Sequence, residues 1–540
     1  MRHLPLHGGG WEGVRHAHRP RMSLYRNFLS VGGLTLVSRI FGFARDALMA
    51  AVLGISPVSD AFNAAFRFPN LFRRLFAEGA FNTAFVPMFS TALETEGNEG
   101  AKELAGRIMS WLVAAILVVT ILVEIFAPQI MVLFVPGFVG DAEKFDLMVF
   151  LTRIMFPYLA CMSLMAAYAA ILNSLGRFFA AAFAPVVLNI VNIGALIPLA
   201  ILTLEAPDTA FWVAIATMLG GVAQLVLVWW AIRRAGFVPK LRWPRFDTEV
   251  QRFWVLAVPA IIAGGITQIN IFVGTIIASG ANEVMSIIYN ADRLYQLPLG
   301  IIGIAIGTVL LPELSRHLGA GRELEARQSQ SQSLFLSMLL SMPAAGALIA
   351  LALPVVRVLF ERGAFGPTDS VHVSQALIAF AAGLPAFVLI RVLQPGFFSR
   401  KDTKTPTWFA FVSLIINIVL SLALFPTLKH VGIALATSIA AWANVVLLAI
   451  FLARRGHFTI TAGEWRQQAM ILLLTLVMSG VLYGLVVLLG PVFDPGYFFP
   501  LQALALLALC VFGAGLYFAL VHLTGVQRLG TLFQRLRRRR

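Results

Sequence analysis

Residues 28–55 read FLSVGGLTLVSRIFGFARDALMAAVLGI. The stretch is long enough to cross a bilayer as one helix, which takes about 20 apolar residues. Yet it carries Arg39, Arg45 and Asp46. Each such group near a helix centre costs about 2.5–3.5 kcal/mol on insertion scales, and each apolar residue returns only about 0.3–0.6 kcal/mol. This helix is marginal on its own, so its charges must face a wet cavity or find partners on other helices.

The rest of the chain sets the same scene. Of 540 residues, 59% are hydrophobic and 12% charged, against about 25% charged in a soluble protein. Long apolar runs recur from end to end without the alternation of a membrane barrel, so the fold class is an all-α polytopic membrane protein. Breaking the sequence at charged and Pro/Gly clusters predicts fourteen helices, at roughly 24–54, 59–91, 104–135, 145–174, 179–204, 209–234, 250–280, 284–316, 328–357, 371–399, 406–427, 431–454, 466–489 and 498–523.

Charge gives an orientation. The net charge of +15 would suggest nucleic acid in a soluble protein, but here the basic residues sit mostly between apolar runs. With both termini cytoplasmic, 29 of the 41 Lys and Arg residues fall on the inside or at its edge, and only Lys144, Arg357, Arg362 and Lys429 fall outside. That asymmetry is a positive-inside signal with an even helix number. Cys161 and Cys510 both lie in apolar runs and read as packing residues, with no disulfide framework and no metal site. Residues 1–22 are polar, Gly- and His-rich, and read as a disordered extension or as sequence upstream of a start at Met22.

The chain also repeats itself. Pro87 and Pro312, Phe134 and Phe360, and Asn189 and Asn417 sit in similar local sequences at offsets of 225, 226 and 228. The repeat divides the chain into 23–234 (helices 1–6) and 250–455 (helices 7–12), joined by a cytoplasmic linker at 235–249. Helices 13 and 14 lie outside it, within 456–525, followed by a basic tail at 526–540. Six helices per copy is an even number, so the expected architecture is two pseudo-symmetric lobes of the same orientation plus two C-terminal helices.

Eight basic residues fall inside the predicted helices: Arg39, Arg45, Arg67, Arg73, Arg74, Arg153, Arg293 and Arg391. Arg39 and Asp46 share a face but lie about 10 Å apart along the helix, too far for an easy pair. Asp46 is therefore expected to answer an arginine on another helix. In helix 2, Asp60, Arg67 and Arg74 form one stripe, and Glu78 is placed to pair with Arg74. Helix 8 sets Asp292 beside Arg293. Arg153 and Arg391 look isolated and read as packing, snorkelling or helix-end residues. The remaining cluster has two readings: ion pairs that hold the lobes in register, or an anion site between them. Arginine stays charged and grips phosphate oxygens with a bidentate fork, and carboxylates would hold it while the site is empty. No Walker loop, HExxH, GxSxG or paired cysteine is present, which points away from an enzyme and from an ATP-driven pump.

Four segments carry a resemblance. SRIFGFARDALMAAVLG (38–54), SDAFNAAFRFPNLFRRLFAEGAFNTAFVP (59–87), YNADRLYQLPLGIIGIAIGTVLLPELS (289–315) and PGFFSRKDTKTP (395–406) closely resemble the MurJ/MviN lipid II flippases of the multidrug/oligosaccharidyl-lipid/polysaccharide exporter superfamily. The resemblance covers about residues 22–525. It implies fourteen helices and transport of an undecaprenyl-diphosphate-linked peptidoglycan precursor from the cytoplasmic to the periplasmic leaflet of the inner membrane. It further implies substrate binding at Arg39, Arg45, Arg73 and Arg293, with carboxylate roles for Asp46, Asp60, Glu78 and Asp292. Arg67 and Arg74 are accessory candidates, and helices 13 and 14 would flank a groove for the lipid tail. A Glu often found three residues after the helix 8 arginine is Gln296 here. No cofactor is expected. Coupling would be to the membrane potential or an ion gradient, and the partners are lipid II, membrane lipids and cell-wall synthesis proteins. Rival readings are an exporter of another lipid-linked saccharide, a multidrug antiporter of the same superfamily, and a cell-wall scaffold.

Overall fold

The computed structural model describes residues 22–74, 81–202, 204–459 and 461–527. The expected N-terminal extension and most of the basic tail lie outside the described residues, as does Glu78. Among the described residues there is no strand. The α-helices are α1 (Met22–Leu53), α2 (Pro57–Arg73), α3 (Asn82–Thr95), α4 (Gly97–Phe134), α5 (Ala142–Met155), α6 (Tyr158–Ser174), α7 (Phe179–Leu202), α8 (Ala206–Arg234), α9 (Thr248–Ala278), α10 (Val284–Gly319), α11 (Glu323–Ala350), α12 (Ala352–Phe360), α13 (Pro367–Phe398), α14 (Lys404–Arg454), α15 (Ala462–Leu488) and α16 (Phe499–Leu523).

Among the described residues all fourteen predicted segments are helical, but three are interrupted. Predicted helix 2 covers α2 and the start of α3, with residues 75–80 outside the described residues. Helix 3 kinks within α4 at Phe126, with φ −101° and ψ 20°, and helix 4 breaks into α5 and α6 at Phe156 and Pro157. Helix 9 breaks into α11 and α12 at Leu351, whose φ/ψ of −103° and 12° are not helical. Helices 11 and 12 both fall in α14, which breaks at Lys429, with φ 44° and ψ −118°. Nine helical stretches among the described residues are long and apolar enough to cross a membrane.

The starts of these helices follow local chemistry. Ser56 caps α2 by accepting from the Ser59 N–H, and Pro57 sits at its first turn, where no N–H is missed. Asp141 and Asp247 cap α5 and α9 in the same way. Thr461 and Glu464 form a reciprocal capping box at α15.

Packing gathers the helices into two groups. In the first, α1 packs on α7, α7 and α6 on α8, and α2 on α5. In the second, α13 packs on α10, α11 and α14, and α11 on α15. α9 touches both, meeting α3 and α4 on one side and α14 on the other. The internal repeat is visible in this packing. α4 and α12 end at the equivalent Phe134 and Phe360, both fully buried. Asn189 sits against Gly42, and Asn417 donates to Asn270, two pairs with the same 228-residue offset.

Candidate functional site: a charged seam between the helix groups

Asp46 is buried on α1 and gathers two arginines. Its Oδ1 accepts from the Arg45 Nη2 at 2.7 Å, and its Oδ2 lies 3.4 Å from the Arg293 Nε on α10. The Tyr289 hydroxyl donates to Asp46 Oδ1 at 3.4 Å and accepts from Arg293 Nη2 at 3.1 Å. One carboxylate thus ties α1 to α10, and Asp46 does answer an arginine on another helix. Helical spacing does not reveal its other partner: Arg45, one residue earlier, is long enough to fold back onto Asp46.

Asp292 lies in the field of Arg293, Arg67 and Arg74, and its hydrogen-bond partners are Tyr295 and Gln296. The amide at 296 therefore donates to Asp292, where a glutamate would repel it. Arg67 also reaches the Thr275 hydroxyl on α9 at 3.5 Å. The structure thus brings Arg45, Asp46, Arg67, Asp292 and Arg293 into one seam where the two helix groups meet.

Asp60 has a different place. It is fully buried in the first turn of α2 and accepts from Lys144 Nζ at 2.9 Å. It also accepts from the Glu283 N–H at 2.6 Å, the Ser286 N–H at 2.9 Å and the Ser286 hydroxyl at 2.7 Å. Glu283 gives α10 no side-chain cap, so an aspartate from another helix group satisfies the open N–H groups at that helix end. Lys144, placed outside the spans by the sequence reading, is 1% exposed; it also donates to Asn282 and lies over the Phe138 ring at 3.9 Å.

Around this pair the two groups close tightly. The Ala364 N–H donates to Ala51 O at 2.7 Å, and any Cβ on Gly54 would overlap Ala364 O. The Gly137 N–H donates to Ser279 Oγ at 3.1 Å. We call this the gate end. At the opposite end the ion pairs stay local. Arg107 and Arg242 share Glu103 beside Asp247, while Arg400 holds Glu323 and Arg455 holds Asp402. Hydrogen bonding from Arg107 holds the Glu103 carboxyl below its ordinary range, and Arg400 does the same for Glu323. The 235–249 linker is strapped to α4 by Arg242 N–H to Ser110 Oγ at 2.9 Å and Trp111 Nε1 to Arg245 O at 2.9 Å.

Two expectations for arginines are corrected. Arg153 is not isolated, because it lies in the field of Glu124 on α4, an intramembrane carboxylate the sequence reading passed over. Arg391 on α13 lies near Arg39, and the two meet the face of α10 at Gly303 and Gly300. The glycines, four and seven residues after Gln296, were the available signal. Arg73 ends α2 and donates to Asn70 at 3.1 Å; Arg74 follows, exposed. An apolar cleft lined by Phe81, Ile116, Leu159, Phe253 and Trp254 opens between α4, α6 and α9.

An all-helical membrane protein with a closed gate end and a charged seam between two helix groups belongs to the class of transporters. The model of the family described as lipid II flippase MurJ matches residues 49–504. A probable lipid II flippase MurJ of Rhizobium tropici is 45% identical over 520 residues, covering 96% of this chain and 98% of the relative. The lipid II flippase MurJ of Burkholderia cenocepacia is 34% identical over 515 residues, covering 93% and 98%. A solved lipid II flippase MurJ in an inward closed conformation is 27% identical with a TM-score of 0.74, covering 92% of this chain and 98% of that one. An inward-facing multidrug transporter of the MATE family shares the fold with a TM-score of 0.65 at 15% identity, covering 79% and 97%. The chain belongs to the lipid II flippase MurJ family, a family of transporters and not of enzymes.

Proposed function

We propose that this chain moves lipid II, the undecaprenyl-diphosphate-linked peptidoglycan precursor, from the cytoplasmic to the periplasmic leaflet by alternating access. The observation that carries the reading is the Arg45–Asp46–Arg293 constellation between the two helix groups of a MurJ-family chain. A diphosphate needs cations in a place sheltered from bulk water, and arginine forks match its oxygens. Asp46 holds Arg45 and Arg293 while the site is empty and releases them to the phosphates.

In this reading fourteen helices cross the bacterial inner membrane with both termini in the cytoplasm, which puts the Asp60–Lys144 gate at the periplasmic face. The lobes are 23–234 and 250–455, and they rock about the seam. Helices 13 and 14, here α15 and α16, flank the prenyl tail. Cell-wall synthesis proteins remain proposed partners. A multidrug antiporter for cations is disfavoured by a seam that, among the described residues, is richer in arginine than in acid.

The test is rescue of a flippase-depleted bacterium, read as clearance of precursor from the inner leaflet. The wild-type chain should rescue and Arg45→Ala should not, with equal amounts of folded protein in the membrane. Rescue by Arg45→Ala would favour a scaffold, and failure of the wild type despite good expression would remove the assignment.

A further inference from the structure

The charged seam has two parts that differ in how their charge is met. Arg45 and Arg293 share Asp46, with Tyr289 bridging them. Arg39 and Arg391 form the other part. Arg39 comes from α1 and Arg391 from α13, so each helix group contributes one. Both guanidinium groups lie against α10 where the sequence leaves out a Cβ. A Cβ on Gly300 would overlap the Arg39 guanidinium, and one on Gly303 would stand 2.9 Å from Arg391 Nη1. Gly300 and Gly303 are one turn apart on the same face, about 4.5 Å along the axis. Among the described residues neither arginine has a carboxylate within ion-pair distance, and each lies in the other's repulsive field.

Two like charges beside one helix in a membrane interior are costly unless an anion is meant to sit between them. Arg391 is exposed as a residue, but its guanidinium end lies against buried Gly303 of α10, beside Arg39. Position along α10 adds a second point. Gly300 is seven residues beyond Arg293, about 10 Å further from the gate end. In the orientation proposed above, that is the cytoplasmic side of the Asp46 site.

We propose that Arg39 and Arg391 form a separate entry site for the substrate diphosphate, one cation from each lobe, occupied before the anion passes deeper to Arg45 and Arg293. The uncompensated pair captures the anion. The deeper pair accepts it only by exchanging Asp46 for phosphate oxygens. The order of the two sites gives the substrate a direction toward the gate. Bridging α1 and α13 also ties the two lobes together on that side of the seam as the substrate enters. This rests on the reading of the chain as a diphosphate-lipid transporter.

The test uses the purified full chain in nanodiscs, with three probes: lipid II, undecaprenyl monophosphate and inorganic pyrophosphate. Arg391→Gln should weaken lipid II binding by about tenfold or more, the scale of one lost charge-assisted hydrogen bond. It should weaken the monophosphate less, because a single phosphate cannot span both arginines. The Arg39→Gln/Arg391→Gln double variant should lose less than the product of the single losses, because one ligand bridges both residues. Gly303→Ala keeps the charge but displaces the movable end of Arg391, and should weaken lipid II binding with an unchanged melting temperature. Wild-type affinity for lipid II in both Arg391→Gln and Gly303→Ala would overturn the proposal, as would independent effects in the double variant. If the wild type binds pyrophosphate but not lipid II, the transport reading fails; the Arg391 effect on pyrophosphate then still tests the anion site.

Discussion

Lys144 has every donor direction occupied: Asp60 at 2.9 Å, Asn282 at 3.0 Å and the Phe138 ring at 3.9 Å. Its partner Asp60 is fully buried, so removing the lysine leaves a carboxylate with only hydroxyl and amide donors. Breaking a buried pair from one side costs several times more than removing both charges together. Lys144→Met should therefore destabilise the protein by about 3 kcal/mol, read as a lower melting temperature in detergent. Adding Asp60→Asn should recover part of that loss, because the amide still meets some of the donors without a charge. If the double variant melts below Lys144→Met, the pair is not the source of the effect. None of this was legible in the sequence. Lys144 and Asp60 are 84 residues apart, and a lysine near a predicted helix end looks solvated until another element is folded over it. Asp46 was half legible, because helical spacing shows which partners are out of reach and says little about a flexible arginine one position away.

At the scale of elements, apolar runs located every predicted helix, since period and length are properties of one chain segment. The break at Leu351 was invisible because the residues around it are apolar, whereas the break at Phe156 had a signal in Pro157 that the long apolar run overrode. The pairing of Arg39 with Arg391 was equally hidden, since it depends on α1 and α13 both meeting α10. Two contacts between elements can be tested. The turn from α13 to α14 is tied down by Asp402, whose pKa is lowered to about 2, first by the Arg455 hydrogen bond and then by the Thr405 N–H. A depressed carboxyl stabilises the fold above its unfolded pKa of about 3.9, and that stability is lost as pH falls through about 2. The melting-temperature gap between wild type and Asp402→Asn should therefore be constant above about pH 5 and close as pH falls toward 2. A gap that instead widens on acidification would reverse the assigned sign. At the gate end, Gly54 has φ 59° and no room for a Cβ against Ala364 O. Gly54→Ala should separate α1 from the α12–α13 turn. Spin labels across that contact should show a longer distance, whereas an unchanged distance would mean the backbone absorbs the methyl group.

For the whole molecule, the distribution of charge suggests which step of a transport cycle is sensitive to voltage. Among the described residues, Arg39, Arg45, Arg67, Arg293 and Arg391 outnumber Asp46 and Asp292 near the seam, so their sum is net positive when the site is empty. A bound diphosphate cancels much of that excess. The membrane potential contributes about 2.3 kcal/mol per charge for each 100 mV crossed. In the proposed cycle, with the inside negative, it should act weakly on the loaded site and strongly on the empty one, and draw the positive cavity back toward the cytoplasm. The return step should then carry most of the voltage dependence. In vesicles with a defined potential, dissipating it should slow repeated turnover of lipid II while leaving a single loaded crossing nearly unchanged. Arg293→Gln, if any transport remains, should flatten the voltage dependence, because it lowers the charge that the empty site returns. Turnover that is indifferent to potential would separate the cycle from the membrane field and leave an ion gradient to drive the return.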